Sequence, residues 1–324
     1  MRVASFFAGV GGIDKGFEKA GFDVIWANEF DKNAAITYKM NFNNDLVVDD
    51  VRNVKTDDIP SFDIMIGGFP CQAFSVAGLR KGFDDDRGNL FFELERIFTK
   101  RKPQVIFLEN VKNLVGHDNG NTFRVILQSL KAAGYHVKKD VFNACQYGNL
   151  PQNRERIYIV AFLEENANKE FRFPDPIELT NKLSDYIDYN EKQDDKYYYT
   201  KENCGFYYEL RKKVVNPDTT YQWRRVYVRE NKSNLCPTLT ANMGTGGHNV
   251  PIVYTNMGIR KLTPRECFNL MGYDKDFILP DNVANTHLYK QAGNSVVIPV
   301  IERIAEEIMV ALDKAEMHNG KMAI

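Results

Sequence analysis

The chain has 324 residues, 44% hydrophobic and 26% charged, with a formal net charge of −1; these values exclude a disordered, collagenous or coiled-coil protein and, by length, allow one large and one small domain. The near-neutral balance excludes indiscriminate binding to nucleic acid but leaves room for a local basic patch. Met1 leads straight into Arg2-Val3-Ala4-Ser5-Phe6-Phe7 without a secretory n-region, no apolar run can span a bilayer, and the five cysteines (71, 145, 204, 236, 267) form no Cys-x-x-Cys pair, so a cytoplasmic protein with no membrane attachment and no metal site is expected.

From Arg2 to about Leu163, apolar β-rich runs alternate with segments of helical period, the pattern of a parallel sheet covered on both faces. The first expected strand, Val3–Phe7, ends in Phe7-Ala8-Gly9-Val10-Gly11-Gly12 and enters a helix carrying Ile13, Phe17 and Ala20. Such a loop lets a ligand approach the backbone. A dinucleotide fingerprint would place a third glycine where Asp14 stands, and a carboxylate there opposes a pyrophosphate at the helix N-terminus, which favours a cofactor without phosphates. The second strand, Val24–Asn28, runs into Glu29, 20 residues after Gly9, the place of an acidic group that holds ribose hydroxyls. The third, Ile64–Gly67, leads into Gly67-Gly68-Phe69-Pro70-Cys71-Gln72-Ala73-Phe74-Ser75, a stiff turn that presents a thiol. On this context alone Cys71 is either a nucleophile or a small buried hydrophobe.

Leu90, Phe91, Leu94, Ile97 and Phe98 recur at helical spacing, as do Phe123, Ile126, Leu127 and Leu130. Between these helices the strand Val105–Glu109 sets Glu109 at the carboxyl edge of the sheet, near Cys71, where a carboxylate acts as a proton donor or merely caps a helix. Gln152-Asn153-Arg154-Glu155-Arg156 then opens the strand Ile157–Phe162, with two arginines at i and i+2 on one face. They suit a substrate oxygen or a plain surface. After Phe173-Pro174-Asp175-Pro176 the alternation stops. Nine of the sixteen tyrosines lie between Tyr186 and Tyr227, and Thr200 to Lys232 holds eight Lys or Arg against four Asp or Glu. Helical pattern returns at Thr263, and Val300, Ile301, Ile304, Ala305, Ile308 and Leu312 mark a long last helix, expected to dock on the first domain and to fray from Met317.

In order along the chain, Phe7 to Gly12, Asn28-Glu29-Phe30-Asp31, Pro70-Cys71-Gln72, Asp86-Arg87-Gly88-Asn89-Leu90, Glu109-Asn110-Val111, Gln152 to Arg156, Leu262-Thr263-Pro264-Arg265-Glu266-Cys267 and Gln291-Ala292-Gly293-Asn294-Ser295-Val296 form a set of blocks. Over essentially its whole length the chain resembles the DNA (cytosine-5)-methyltransferases, most closely the compact bacterial HhaI-type enzymes of restriction-modification systems. The resemblance implies an α/β, Rossmann-like S-adenosylmethionine-dependent methyltransferase fold with a mostly parallel sheet. Its catalytic and cofactor-binding domain would span 1–175, completed by the returning segment 259–324, and a smaller irregular or β-rich target-recognition domain would span 176–258.

The same resemblance implies roles. Cys71 would attack C6 of a flipped-out cytosine while Glu109 contacts N3 and the exocyclic amine, and Arg154, ahead of Arg156, would hold O2. S-adenosyl-L-methionine, leaving as S-adenosyl-L-homocysteine, would be held by Phe7, Ala8, Gly9, Gly11, Gly12, Glu29, Phe30, Asp50, Pro70 and Leu90, with Asn294 and Ser295 returning to finish the pocket. Duplex DNA would be contacted by Gln72, Ser75, Arg87, Gln222, Arg224, Arg225, Arg229 and Thr238, with Gln222 filling the gap left by the base and Arg225 touching bases. Two departures stand out: Phe30 replaces a Trp of close relatives, and Ala77 replaces a Ser near the vacated space. A cognate restriction endonuclease as partner in function only, a monomeric state and a bacterial, nucleoid-associated location follow by the same analogy. Two other readings are a sequence-specific DNA-binding protein with weak or lost catalysis and an RNA cytosine-5 methyltransferase of the same family. The intact Pro70-Cys71-Gln72, Glu109 and Arg154 speak against the first, and the long region from Pro176 to Gly258 against the second.

Overall fold

In a computed structural model that describes residues 1–70, 90–245 and 250–322, the elements run β1 (Arg2–Phe6), α1 (Gly12–Lys19), β2 (Asp23–Asn28), α2 (Lys32–Lys39), β3 (Asp45–Val47), β4 (Ile64–Gly67), α3 (Leu90–Arg101), β5 (Val105–Val111), α4 (Asn121–Ala132), β6 (His136–Asn143), α5 (Ala144–Tyr147), β7 (Gln152–Asn153), β8 (Glu155–Phe162) and α6 (Glu165–Glu170). There follow α7 (Tyr207–Lys213), β9 (Tyr221–Arg224), β10 (Tyr227–Glu230), β11 (Cys236–Pro237), β12 (Ile252–Thr255), β13 (Gly258–Lys261), α8 (Pro264–Asn269), α9 (Asn285–Asn294) and α10 (Ile298–Met322). They divide into two compact units. One comprises Met1–Phe142, Glu155–Asp175 and Val300–Ile324, the other Asn143–Arg154 and Pro176–Pro299. Segments 143–154 and 259–299, assigned from sequence to the larger domain, thus group with the smaller unit.

The first unit is built on a seven-stranded sheet in the order β3-β2-β1-β4-β5-β8-β6. Strands β1 to β5 pair in parallel and β8 runs antiparallel to β5. The central runs Ile64–Met65–Ile66 and Val105 to Leu108 are fully buried, as strands covered on both faces must be. The connection order reverses between β1 and β4, so the crevice at their carboxyl ends is where such a sheet places its ligands. The expected strands are all present. Strands β3 and β6 were not expected, because they lie at the two edges of the sheet and carry no continuous apolar run: β3 has three residues, and β6 is mostly half-buried or exposed around Lys138 and Lys139. The terminal helix packs within this unit, close enough that a Cβ on Gly16 would meet Ile301 at 2.6 Å. It continues to Met322, past the point where fraying was expected.

In the second unit an antiparallel sheet of order β10-β9-β12-β13 covers a small core of Cys204, Leu210, Val214, Tyr221, Ile252 and Ile259. Part of the aromatic density of the sequence goes into this core; Trp223 stacks on Phe206 with ring centroids 3.8 Å apart. The fully buried Arg260 sends its fork to both oxygens of Glu266, at 2.6 and 2.8 Å, and donates to the Asp188 carbonyl. Glu266 also closes a capping box with Thr263 at the start of α8, where Pro264 occupies the first turn. Among the described residues no helix is long and apolar enough to cross a membrane. Removing one member of a fully buried ion pair leaves the other charge uncompensated. Arg260→Met should therefore lower stability by about 3–5 kcal/mol in urea unfolding, and a loss under 1 kcal/mol would mean that the pair does not hold this unit.

Candidate active site

The loop after β1 is set by backbone geometry. Phe7 adopts φ 54°, unusual for a residue with a side chain, and Gly9 and Gly11 take φ 59° and 80°. Gly11 also admits no side chain, since a Cβ there would lie 2.2 Å from the Phe42 ring. At Gly9 the surroundings open, with nothing within 4 Å of a built Cβ. Phe42 stacks on Tyr38, whose hydroxyl donates to Asp14 Oδ1 at 2.7 Å, while the Ser5 hydroxyl donates to Asp14 Oδ2 at 2.9 Å. Asp14 is therefore a fully buried anchor linking β1, α1 and α2. Burial lifts its carboxyl to about 6 against the pull of the Tyr38 and Ser5 hydrogen bonds. Nothing in the one-dimensional pattern marks Ser5 and Tyr38 as its partners.

At the end of β2, Glu29 accepts from the Gly9 and Asp31 amides, one on each carboxylate oxygen, both at 2.7 Å. Each oxygen has two lone pairs, so this carboxylate keeps acceptor capacity for a vicinal diol. Burial raises its pKa. Phe30 beside it is 66% exposed, an uncovered ring suited to stacking on a flat heterocycle. Asp50 caps the short helix Val51–Asn53 and is gripped by the Arg52 guanidinium, which holds its carboxyl below the usual range. These residues of one unit fit the adenosine end of the expected cofactor. Asn294 and Ser295 belong to the other unit, where the Ser295 hydroxyl bonds that of Tyr273.

Beyond β4 the chain turns through Gly68, Phe69 and Pro70. Asn110, at the end of β5, donates to the Phe69 carbonyl at 2.7 Å, and a Cβ on Gly68 would stand 3.4 Å from Glu109 Oε2. Glu109 thus lies against Gly68, three residues before Cys71 in the sequence. Its Oε1 is 3.0 Å from Arg156 Nε, with both side chains nearly buried. The antiparallel register places Arg156 opposite Val111, two residues beyond Glu109 on the same face, within diagonal reach. Cys71, Gln72, Ser75 and Arg87 lie outside the described residues.

Arg154 has a different job in the second unit. It is 2% exposed and donates to the carbonyls of Leu239 at 2.7 Å, Gly293 at 3.1 Å and Ser295 at 2.5 Å. A side chain at Gly293 would collide with the Thr240 backbone, so Arg154 ties together two segments already in close approach. The family resemblance puts Arg154 ahead of Arg156, whereas Arg156 is the arginine on Glu109. In the same unit Gln222, Arg224, Arg229 and Thr238 line a groove of about 730 Å³, with Thr238 donating to the Asn153 carbonyl. Arg225 sits at the β9–β10 turn with φ 59°.

The family model for C-5 cytosine-specific DNA methylases matches residues 1–310. Type II methyltransferase M.Bsp6I of Bacillus sp. (strain RFL6) is 63% identical over 310 residues, spanning 95% of this chain and 98% of that protein. Type II methyltransferase M.HhaI of Haemophilus parahaemolyticus is 37% identical over 326 residues, spanning 97% and 95%. Among solved structures, DNMT2 of Spodoptera frugiperda superposes with a TM-score of 0.74 at 19% identity, over 95% of this chain and 99% of that one, a likeness of fold.

The raised Asp14 carboxyl makes a signed prediction. The folded state binds this proton more tightly than the unfolded chain, so the contribution is full below about pH 3.8 and is lost as pH rises through about 6. Wild type should lose on the order of 3 kcal/mol relative to Asp14→Asn across that window in paired denaturant titrations. Parallel curves would exclude a buried titrating Asp14.

Proposed function

Since the chain belongs to the C-5 cytosine-specific DNA methylases, we propose that it methylates C5 of a cytosine flipped out of duplex DNA, through a transient bond between Cys71 and C6. It is a Type II C-5 cytosine DNA methyltransferase of the restriction-modification kind. The observation that carries the finer reading is the Glu109–Arg156 pair set against Gly68, in the turn that leaves β4.

Cytosine C5 is a poor nucleophile, and a thiolate adding at C6 makes it an enamine carbon. Glu109 meets N3 and the exocyclic amine and, entering as the carboxylic acid, donates its proton to N3 as the thiolate adds, which neutralises the charge that develops on the ring; the proton returns to Glu109 when the thiolate leaves. Arg156 holds the Glu109 carboxyl group in place and offers its remaining N–H groups to O2. In this reading Arg156 takes the role expected of Arg154, and Arg154 positions the Leu239 and Ser295 segments. S-adenosylmethionine, when bound, supplies the methyl cation from its sulfonium and leaves as S-adenosylhomocysteine. A base then removes the C5 proton, the S–C6 bond breaks, and the Cys71 thiolate is regenerated. Glu29 holds the ribose diol and Phe30 covers the adenine. Flipping costs a few kcal/mol and is required because a stacked cytosine hides C6. The protective partner of a restriction endonuclease, acting as a monomer on bacterial DNA, is the biological role this chemistry serves.

A duplex library made with 5-fluorocytosine cannot release its C5 substituent as a proton, so incubation with S-adenosylmethionine should leave a denaturation-resistant adduct. Cys71→Ser should leave none; an equal adduct from that variant would remove Cys71 from the reaction. Arg156→Ala should lower kcat by roughly 10²–10³ while Arg156→Lys recovers part of it. A change confined to KM would show that Arg156 binds substrate without stabilising the transition state.

A further inference from the structure

The β9–β10 hairpin sorts arginines that the sequence leaves equivalent. Register pairs Gln222 with Arg229 and Arg224 with Tyr227, so these four side chains share one face of the ribbon. On the opposite face Tyr221, Trp223 and Val228 pack into the core of the unit. Gln222, Arg224 and Arg229 line the groove of about 730 Å³; among the described lining residues Arg225 is not included. Arg225 serves the turn instead, in a left-handed conformation next to Val226, which is 82% exposed.

The Gln222 side chain is already engaged. Arg224 Nη2 donates to Gln222 Oε1 at 3.1 Å, so a neutral acceptor fixes the guanidinium plane without cancelling its charge. A point contact to a phosphate needs no such orientation, whereas bidentate recognition of guanine O6 and N7 depends on it. Among the described residues β10 pairs with β9 alone and β9 meets β12 in register at Tyr221 only, so the Gln222–Arg229 end of the hairpin is a two-stranded ribbon, a form that the major groove admits.

We propose that this hairpin is a ribbon that reads guanine edges in the major groove through Arg224 and Arg229, with Gln222 as the positioning residue of Arg224 rather than a filler of the space left by the flipped base. The inference rests on the DNA-methylating reading above and adds to it the element that selects the sequence.

The test begins by mapping 5-methylcytosine in DNA from a methylation-free host expressing the wild-type chain, which gives the recognised site. Each guanine of that site is then replaced in turn by 7-deazaguanine, which lacks the N7 acceptor. Wild-type kcat/KM should fall roughly 10- to 100-fold at the guanines that are read. Arg224→Ala and Arg229→Ala should show a similar loss on natural DNA, relax the mapped site at one position each, and suffer no further loss on the matching 7-deazaguanine duplex. Gln222→Ala should reproduce a weaker form of the Arg224→Ala pattern at the same guanine, with Gln222→Asn, which keeps a neutral amide acceptor, restoring part of it. Arg225→Ala should leave the mapped site unchanged. The inference is overturned if Arg224→Ala and Arg229→Ala weaken binding equally on all sequences and reduce the salt slope by about one each, the mark of phosphate contacts. It is also overturned if Arg225→Ala relaxes the site, or if wild type is indifferent to every 7-deazaguanine. If wild type methylates no DNA, the functional reading falls and takes this inference with it; methylation without 7-deazaguanine sensitivity overturns the inference alone.

Discussion

An arginine and a glutamate, 3.0 Å apart and almost out of the water at the carboxyl end of β5, constrain the chemistry of the first unit. Neither charge is tolerable alone at that burial, because an unpaired ion in a poorly solvated site loses far more hydration than it recovers. The pair therefore has to form, and forming it requires β8 to run antiparallel against β5 in the observed register, with Arg156 opposite Val111. That register in turn fixes which oxygen of Glu109 faces Arg156 and leaves the other beside Gly68. A strand shift of one residue would turn Arg156 to the other face and dissolve the arrangement.

Around this pair the fold is held by contacts that exclude alternatives. The glycine loop cannot relax, because Phe42 fills the space next to Gly11 and is itself stacked on Tyr38, which is tied to Asp14. Glu29 meets the same loop through the Gly9 amide. A ligand entering at Gly9 would find the carboxylate already aimed by two backbone amides, so little ordering is left to be done on binding.

Much of this was legible in the sequence where one local rule decided the outcome. Buried parallel strands read as unbroken apolar runs, and Thr263-Pro264-Arg265-Glu266 announces a capped helix through residues three apart. The edge strands β3 and β6 were not legible, since an edge is stabilised on one side only and needs no continuous hydrophobic code. The two arginines of Gln152 to Arg156 share a face by spacing, and spacing alone cannot say that one serves carbonyls of Leu239, Gly293 and Ser295 while the other serves Glu109. Those partners lie between 47 and 141 residues away along the chain, beyond the reach of any periodicity. Likewise Arg224 and Arg225 are neighbours in sequence, and only the positive φ at Arg225 separates a groove-facing residue from a turn residue.

The support of the hairpin has an evolutionary corollary. Its inner face rests on a few aromatic contacts, the Phe206–Trp223 stack foremost, and its outer strand is bonded along one side. Side chains at 222, 224, 227 and 229 can therefore be exchanged without breaking a ladder, opening a cavity in the main sheet or disturbing the Glu109–Arg156 pair. Lineages descending from such a chain can diversify the DNA words they mark by substituting an exposed ribbon, while the reaction itself stays constant.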